Sequence, residues 1–354
     1  MHVVPDNDNS IRTEFLERCK LCGQQGRMLY EGLNDRLFGA SGTWTQKICT
    51  NNDCGLVWLD PMPVEEDLGK AYSSYFTHQD ISRNNSLALR LYQSAKHGYL
   101  ALKYDYYRDE TSWFSRLMGL AFYCHPGLRA DVDFGTFYLD AHNGGRLLEV
   151  GCGSGRMLKA MAERGWSAEG VDFDPNAVTN ARQKGLTVHL GSLADQHFPD
   201  NTFDAIVMSH VIEHVPDPLV LLLECQRILK SGAILISVTP NTSSFGHQVF
   251  RSSWLHLDPP RHLYLLNSRI FLKMAKSAGF TEANVLTTIR DANGLMIASR
   301  AIRNKTGYRM GQPETVLTRL WGRGMQLVEW FLLKFNRNVG EELVLMARKQ
   351  ASTI

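Results

Sequence analysis

The stretch Leu147–Leu158, LLEVGCGSGRML, constrains this chain more than any other. An apolar run ends at Glu149 and Val150, and glycines then recur at Gly151, Gly153 and Gly155. Such a run bounded by glycines reads as a buried strand, and Met157, Leu158 and Met161 beyond it fall at helical spacing. Strand, Gly-rich turn and helix form a device that holds a nucleotide-like ligand against a helix N-terminus. The dinucleotide fingerprint G-x-G-x-x-G is excluded, because its third glycine would stand at Arg156. No G-K-[ST] phosphate anchor follows either. Asp172, which closes the next apolar run in SAEGVDFDP, can accept both hydroxyls of a ribose. Glu149 can meet a cationic group directly or through water. An adenosine carrying an ammonium and a sulfonium, and no phosphate, suits this pattern.

Downstream periodicity predicts an alternation of helices and strands. It places helices over Arg156–Arg164, Pro175–Gln183, Leu219–Leu229 and Ser268–Ala278. Strands are expected at Arg146–Val150, Ala168–Phe173, Thr187–Leu190, Phe203–Met208, Ala233–Val238, Ala283–Ile289 and Glu342–Ala347. Gly165, Gly185, Gly232 and Gly279 each follow a helical run and mark its stop. The blocks LLEVGCGSG, GVDFDP, FPDNTFDAIVMSHVIEHVPDP, LKSGAILISVTPN and RHLYLLNSRIFLKMAKSAGF, in this order, resemble class I S-adenosylmethionine-dependent methyltransferases. The resemblance implies an α/β, Rossmann-like, seven-stranded sheet whose last strand runs antiparallel beside its predecessor. It implies S-adenosylmethionine as cofactor, held by Glu149, Gly151, Cys152, Gly153, Gly155, Asp172, Phe173, Ser192, Leu193 and His210. Where many members carry G-D-x after the third strand, this chain reads Gly191-Ser192-Leu193, so Ser192 or Asp195 takes the place of that acid.

Four of the seven cysteines pair off as Cys19-x-x-Cys22 and Cys49-TNND-Cys54, with Gly23 and Gly55 directly behind each pair. Paired cysteines on two tight knuckles suit a tetrahedral four-thiolate zinc site. Two disulfides or four unrelated thiols are the alternatives, and disulfides run against an intracellular setting. The expectation is a zinc ribbon over residues 1–62 with a structural role, since four thiolates leave no open coordination position. Cys152 is read as a small packing residue and Cys225 as core.

Residues 63–140 carry many aromatics and are expected to form a helical cap or linker ahead of a cofactor-binding domain at 141–354. Leu89, Tyr92, Lys96, Tyr99 and Lys103 recur at helical spacing, as do Phe114, Leu117, Met118 and Phe122. Most of these aromatics are read as docking helices onto the sheet. Tyr72, Tyr75 and Phe76 are the candidates for a cap over the cofactor mouth. A helical insertion at about 290–340 contains TRLWGRGMQLVEWFLLKF, an apolar band of Leu320, Trp321, Met325, Val328, Trp330, Phe331 and Phe335 beside Arg319, Arg323 and Lys334. A basic helix of this kind can lie on a membrane surface. Packing on the domain or on a second subunit is the favoured alternative, because Gly322 and Gly324 weaken the helix.

Methyl transfer is an in-line displacement that mainly requires alignment of the nucleophile. A hydroxyl acceptor also needs a base. His262 in LDPPRHLYL is the preferred candidate, on a loop stiffened by two prolines. His214, in MSHVIEHV, is the second, with a structural role equally open. Ribbon plus methyltransferase resembles bacterial sugar and glycan-precursor methyltransferases, which implies a small-molecule acceptor, a nucleotide sugar or glycan intermediate among them. Arg261 is then a candidate for holding a substrate phosphate or carboxylate. A net charge of +2 with 21% charged residues leaves no basic footprint for nucleic acid. An RNA methyltransferase using the ribbon for RNA contact, and a non-catalytic cofactor-binding protein, are the rival readings. No apolar run approaches the roughly 18 residues of a membrane span. MHVVPDNDNS has no signal-peptide pattern, so a cytoplasmic location is expected.

Overall fold

The computed structural model describes residues 10–72, 86–141, 144–306, 308 and 314–351. The N-terminal part contains strands β1 (Thr13–Glu14), β2 (Gly26–Leu33), β3 (Trp44–Cys49), β4 (Val57–Leu59) and β5 (Met62–Pro63). Helices α1 (Leu87–Lys103), α2 (Trp113–Gly119) and α3 (Pro126–Phe134) follow. The central layer is built from β6 (Arg146–Val150), β7 (Ser167–Asp172), β8 (Thr187–Leu190), β9 (Phe203–Ser209) and β10 (Leu229–Pro240). Between them run α4 (Arg156–Ala162), α5 (Pro175–Gln183) and α6 (Pro218–Ile228). After them come α7 (Phe245–Phe250), β11 (Tyr264–Leu265), α8 (Ser268–Ser277), β12 (Phe280–Thr288), α9 (Ala292–Arg303), α10 (Val316–Leu332) and β13 (Glu342–Lys349).

The seven-stranded sheet has the order β12-β13-β10-β9-β6-β7-β8. Its strands β8, β7, β6, β9 and β10 run parallel, and β13 runs antiparallel to both β10 and β12. Parallel strands are covered on both faces, and β6 and β9 accordingly read as near-continuous apolar runs. From β6 the chain adds β7 and β8 on one side and then returns to place β9 on the other. This reversal opens a crevice at the C-terminal ends of β6 and β9, where ligands of doubly wound sheets bind. The expected α/β sheet is present, with small shifts at strand ends. Strand β10 begins at Leu229, with an irregularity before Ile234, and β12 begins at Phe280 because β13 extends to Lys349 and pairs with it.

The N-terminal four-cysteine part shares a sheet and a core with the main domain. Strand β11, from the far side of the chain, joins β4, β3 and β2 in a four-stranded sheet. Cys19, Leu56 and Trp58 share one apolar cluster with Leu263, Leu266 and Phe271 of the main domain. A boundary at residue 62 is thus crossed by a common core. Burial of Arg261 against Asp35 ties the two parts further.

Helices α1 and α2 approach closely because glycine stands on both sides of the contact: a Cβ on Gly98 would lie 1.8 Å from the Ser115 carbonyl oxygen. Tyr99 and Tyr104 both donate to Asp133 Oδ1, at 2.7 and 2.9 Å. Trp166 of the main domain donates to the Tyr106 hydroxyl at 3.0 Å. These aromatics dock helices. Tyr75 and Phe76 lie outside the described residues. In the 290–340 insertion, Gly322 is a packing residue, since a Cβ there would meet Ile297 Cδ1 at 2.6 Å. The same close approach lets α10 seat Trp321 and Met325 on the cluster around Trp254.

Candidate active site

The Gly-rich turn leaves β6 with Gly151, Gly153 and Gly155 at φ of +71°, +53° and +76°, the left-handed region that excludes most side chains at low cost. Two of these glycines also make room: a Cβ on Gly151 would strike Val211 Cγ2 at 2.4 Å, and one on Gly155 would strike Leu186 Cδ1 at 2.3 Å. Gly153 differs. Among the described residues nothing lies within 4 Å of where its Cβ would be, so its face is open toward the crevice.

Two carboxylates border this opening. Asp172 ends β7 and is oriented by amides, Gly153 N donating to Oδ2 at 2.7 Å and Asp174 N to Oδ1 at 2.9 Å. Burial raises its pKa despite these bonds. Glu149, 5% exposed, has an Oε2 that finds no hydrogen-bond partner among the described residues. Burial, and then the neighbouring Asp172 charge, push its pKa up to about 8. A buried carboxylate without a partner is costly. A cationic ligand seated over Gly153 removes that cost, and amide-held Asp172 can still accept hydroxyls on its remaining lone pairs. The residues present therefore fit an adenosine bearing a sulfonium and an ammonium.

The other predicted contacts fall around this mouth with different roles. Phe173 is 57% exposed and meets Tyr72 edge-on, ring centres 5.4 Å apart. Cys152 is buried against Gly170, where a Cβ would lie 2.5 Å from its Sγ, and burial raises its thiol pKa. It is a packing residue. Ser192 is bound by Asp195, whose Oδ2 accepts from both its amide (2.8 Å) and its hydroxyl (2.7 Å), and Leu193 is buried. The His210 side chain is committed to carboxylates, which leaves its backbone for the expected cofactor contact. Its Nδ1 lies 3.1 Å from Glu213 and its Nε2 2.9 Å from Glu342. Burial alone would lower its pKa, but the two carboxylates raise it to about 9, so both ring nitrogens carry protons. Arg290 completes this cluster, with Nε donating to Glu342 Oε2 at 2.8 Å.

The histidines expected to face substrate do come together. His214 Nδ1 lies 2.9 Å from the Arg261 carbonyl and 2.9 Å from the Tyr72 hydroxyl. A carbonyl can only accept, so Nδ1 carries the proton and Nε2 keeps its lone pair. His262 Nδ1 likewise donates to the His256 carbonyl at 2.6 Å. The two rings meet edge-on at 4.7 Å. Burial, and then His262, lower the His214 pKa to about 4, so it is neutral. Glu213, His214 and His262 each bring one donor atom within 4.8 Å of the others.

Arg261 does not hold substrate. It is fully buried, with Nη1 and Nη2 donating to Asp35 at 2.7 and 2.8 Å, Nε donating to Asp258 at 2.9 Å, and its guanidinium 4.7 Å from the Phe38 ring centre. Its donors are spent on joining the ribbon to the loop that carries His262. Sequence reasoning missed Asp35, Asp258, Glu213 and Glu342. Glu213 was visible as the acid of the EHV block, whereas Asp35 lies in the irregular segment EGLNDRLFGA, which carries no periodic signal.

Away from this mouth, the four paired cysteines converge as the spacing suggested. Cys19 and Cys54 sulfurs are 3.6 Å apart, Cys22 and Cys49 sulfurs 3.4 Å, and all four lie within 4.8 Å of one another. Four thiolates at ~2.3 Å from a tetrahedral ion stand ~3.8 Å apart, close to this arrangement. Gly23 and Gly55 adopt φ of +70° and +66°, and the amides of Leu21, Cys22 and Leu56 point at Cys19 and Cys54 sulfurs. No disulfide links the cysteines.

Residues 128–285 match the family model described as a methyltransferase domain. Over that segment the chain is similar to methyltransferase domains. A ubiquinone biosynthesis O-methyltransferase of Cereibacter sphaeroides is 33% identical over 118 residues, covering 31% of this chain and 48% of that protein. The protein of the same description from Xanthomonas oryzae is 30% identical over 162 residues, covering 43% of this chain and 66% of the relative. The chain thus spans about half the length of the curated relatives it matches. A methyltransferase of Archaeoglobus fulgidus aligns at TM-score 0.43 and 19% identity, covering 63% of this chain and 92% of that one. The matched segment contains most of α3, the Gly-rich turn, Glu149, Asp172, His210, His214 and His262. The ribbon, most of the cap and the 290–340 insertion lie outside it.

Proposed function

We propose that this protein transfers a methyl group from S-adenosylmethionine to a small-molecule acceptor. The observation that carries the reading is the buried Glu149 carboxylate, whose Oε2 has no hydrogen-bond partner among the described residues, together with amide-held Asp172 and the open side of Gly153. When bound, the cofactor supplies an electrophilic methyl on a sulfonium. Glu149 and Asp172 then answer its positive charge and its ribose hydroxyls, Phe173 and Tyr72 wall the mouth, and the turn glycines let the main chain approach. His262 is the candidate general base, since its Nδ1–H is spent on the His256 carbonyl and Nε2 is left to take an acceptor proton. His214 positions that site through Tyr72 and the Arg261 carbonyl. A hydroxyl acceptor is favoured, because relatives matched over the domain are named O-methyltransferases. Sugars and glycan precursors are the acceptors to test first alongside phenolic ones. The four cysteines hold a structural zinc ion.

Incubation with methyl-labelled cofactor and fractionated cell extract tests the reading. Label is expected in a low-molecular-weight fraction, with His262→Asn lowering turnover while cofactor affinity is retained. Label confined to RNA supports the ribbon-RNA reading instead. Tight cofactor binding with label in no fraction points to a binding protein.

A further inference from the structure

Helix α10 is apolar on two sides. Its inner side packs on α9 and on the cluster around Trp254, through Gly322, Trp321 and Met325. Its outer side carries Leu317, Leu320, Phe331 and Phe335, which are 79%, 57%, 57% and 76% exposed, with Leu327 and Val328 between them. At 100° per residue these side chains form one stripe along the whole helix. Arg319, Arg323 and Lys334, all exposed, fall together on one flank of that stripe. Between Thr315 and Gly340 the only acidic residue is Glu329, which is fully buried on the inner side. The exposed face is thus apolar and cationic, without a compensating negative charge of its own. Singly exposed apolar residues need no explanation, but a continuous stripe of this size does.

A second outward apolar set stands on the cap, where Trp113, Phe114 and Leu117 of α2 are 77%, 52% and 57% exposed. The short helix following α2 packs on α3, and α10 packs on α3 as well. The helix that continues α2 and the α10 helix thus share α3 as a neighbour. No helix among the described residues is long and apolar enough to cross a membrane. A second copy of this chain seated on the α10 face would bring like charges together, since an isologous contact repeats the same patch. We propose that the outer face of α10, assisted by the α2 tip, docks in the plane of an anionic lipid surface. The apolar stripe enters the headgroup–acyl boundary, and Arg319, Arg323 and Lys334 meet lipid phosphates.

The test is co-sedimentation of the full chain with vesicles of phosphatidylcholine alone or with one-quarter phosphatidylglycerol. Partitioning is expected to be at least about tenfold stronger on the anionic vesicles and to weaken with salt. Leu320→Glu with Phe331→Glu should abolish it, and each of Arg319→Gln, Arg323→Gln and Lys334→Gln should weaken it by about fivefold. These positions are exposed, so thermal unfolding and cofactor affinity should match wild type. Failure to bind anionic vesicles, or binding indifferent to the Glu pair, overturns the proposal. So does a dimer in sedimentation equilibrium that the Glu pair dissolves while vesicles are ignored. None of these readouts depends on methyl transfer.

Discussion

Two buried carboxylate clusters lie at the same edge of the central sheet and are treated in opposite ways. Glu342 and Glu213 are saturated: Arg290 and His210 neutralise them, and their pKa values fall to about 2 although burial alone would raise them. Glu149 and Asp172 have no ion pair of this kind, and both are raised, the Arg156 charge offsetting only part of the Glu149 shift. A fold keeps buried charge cheap by pairing it. Where it leaves the pairing incomplete, in a crevice at a topological switch point, the missing partner is a ligand. The first cluster serves architecture, and the second is the proposed binding site.

This contrast breaks first at Arg290. Arg290→Ala leaves Glu342 and His210 without a third partner and should cost about 3–5 kcal/mol in denaturant unfolding. A cost below 1 kcal/mol would mean that the cluster is not the anchor described. Asp172→Ala should act mainly on the ligand, weakening cofactor binding by ~1.5–3 kcal/mol, read by calorimetry, with a smaller folding cost of about 1–2 kcal/mol because the Gly153 and Asp174 amides lose their acceptor. A smaller effect comes from pH. Glu149 binds a proton below about 8, and a cationic ligand must displace it. Cofactor affinity should therefore rise with pH up to about 8, by no more than tenfold per unit, and stop rising there, where the ligand's own ammonium begins to lose its proton. An affinity that is flat from pH 6 to 9 argues against ionised Glu149 as the cationic partner.

The smallest expected effect lies at Glu329, which joins α10 to the residue before β13 by accepting the Glu341 amide at 2.8 Å. Burial, and then Glu341, hold its pKa well above the usual 4.5, so the folded state keeps the proton that the unfolded state releases. Its contribution to stability thus declines as pH rises above about 4.5. Glu329→Gln should change stability near pH 5 by less than about 0.5 kcal/mol and should flatten that decline. An equal slope in both proteins would place the proton elsewhere.

Most of the central sheet could be read from the chain, because buried parallel strands and amphipathic helices write their periodicity into LLEV, FDAIVMS and SRIFLKMAKS. The Gly-rich turn and Asp172 were legible for a related reason: backbone-specific geometry demands glycine at fixed places. What escaped was long-range. Arg261 looked like a free anion anchor because sequence does not show that Asp35, 226 positions away, occupies its guanidinium. The His210 side chain is likewise held by Glu342, 132 positions downstream. The α10 band was assigned a single face, whereas packing divides it between Trp321 and Met325 inside and Phe331 and Phe335 outside. Side-chain periodicity reports that a surface is apolar, and only the fold decides which surface is covered.

Calorimetric titration of S-adenosylmethionine into wild type and Glu149→Gln at pH 8.5, alongside thermal unfolding of both without cofactor, bears most directly on the division between binding and architecture. The expected result is a cofactor affinity at least about tenfold weaker in Glu149→Gln with a melting temperature equal to or above wild type, because a buried charge has been removed. Unchanged affinity together with a lower melting temperature would contradict it, and would make Glu149 a structural residue like Glu342.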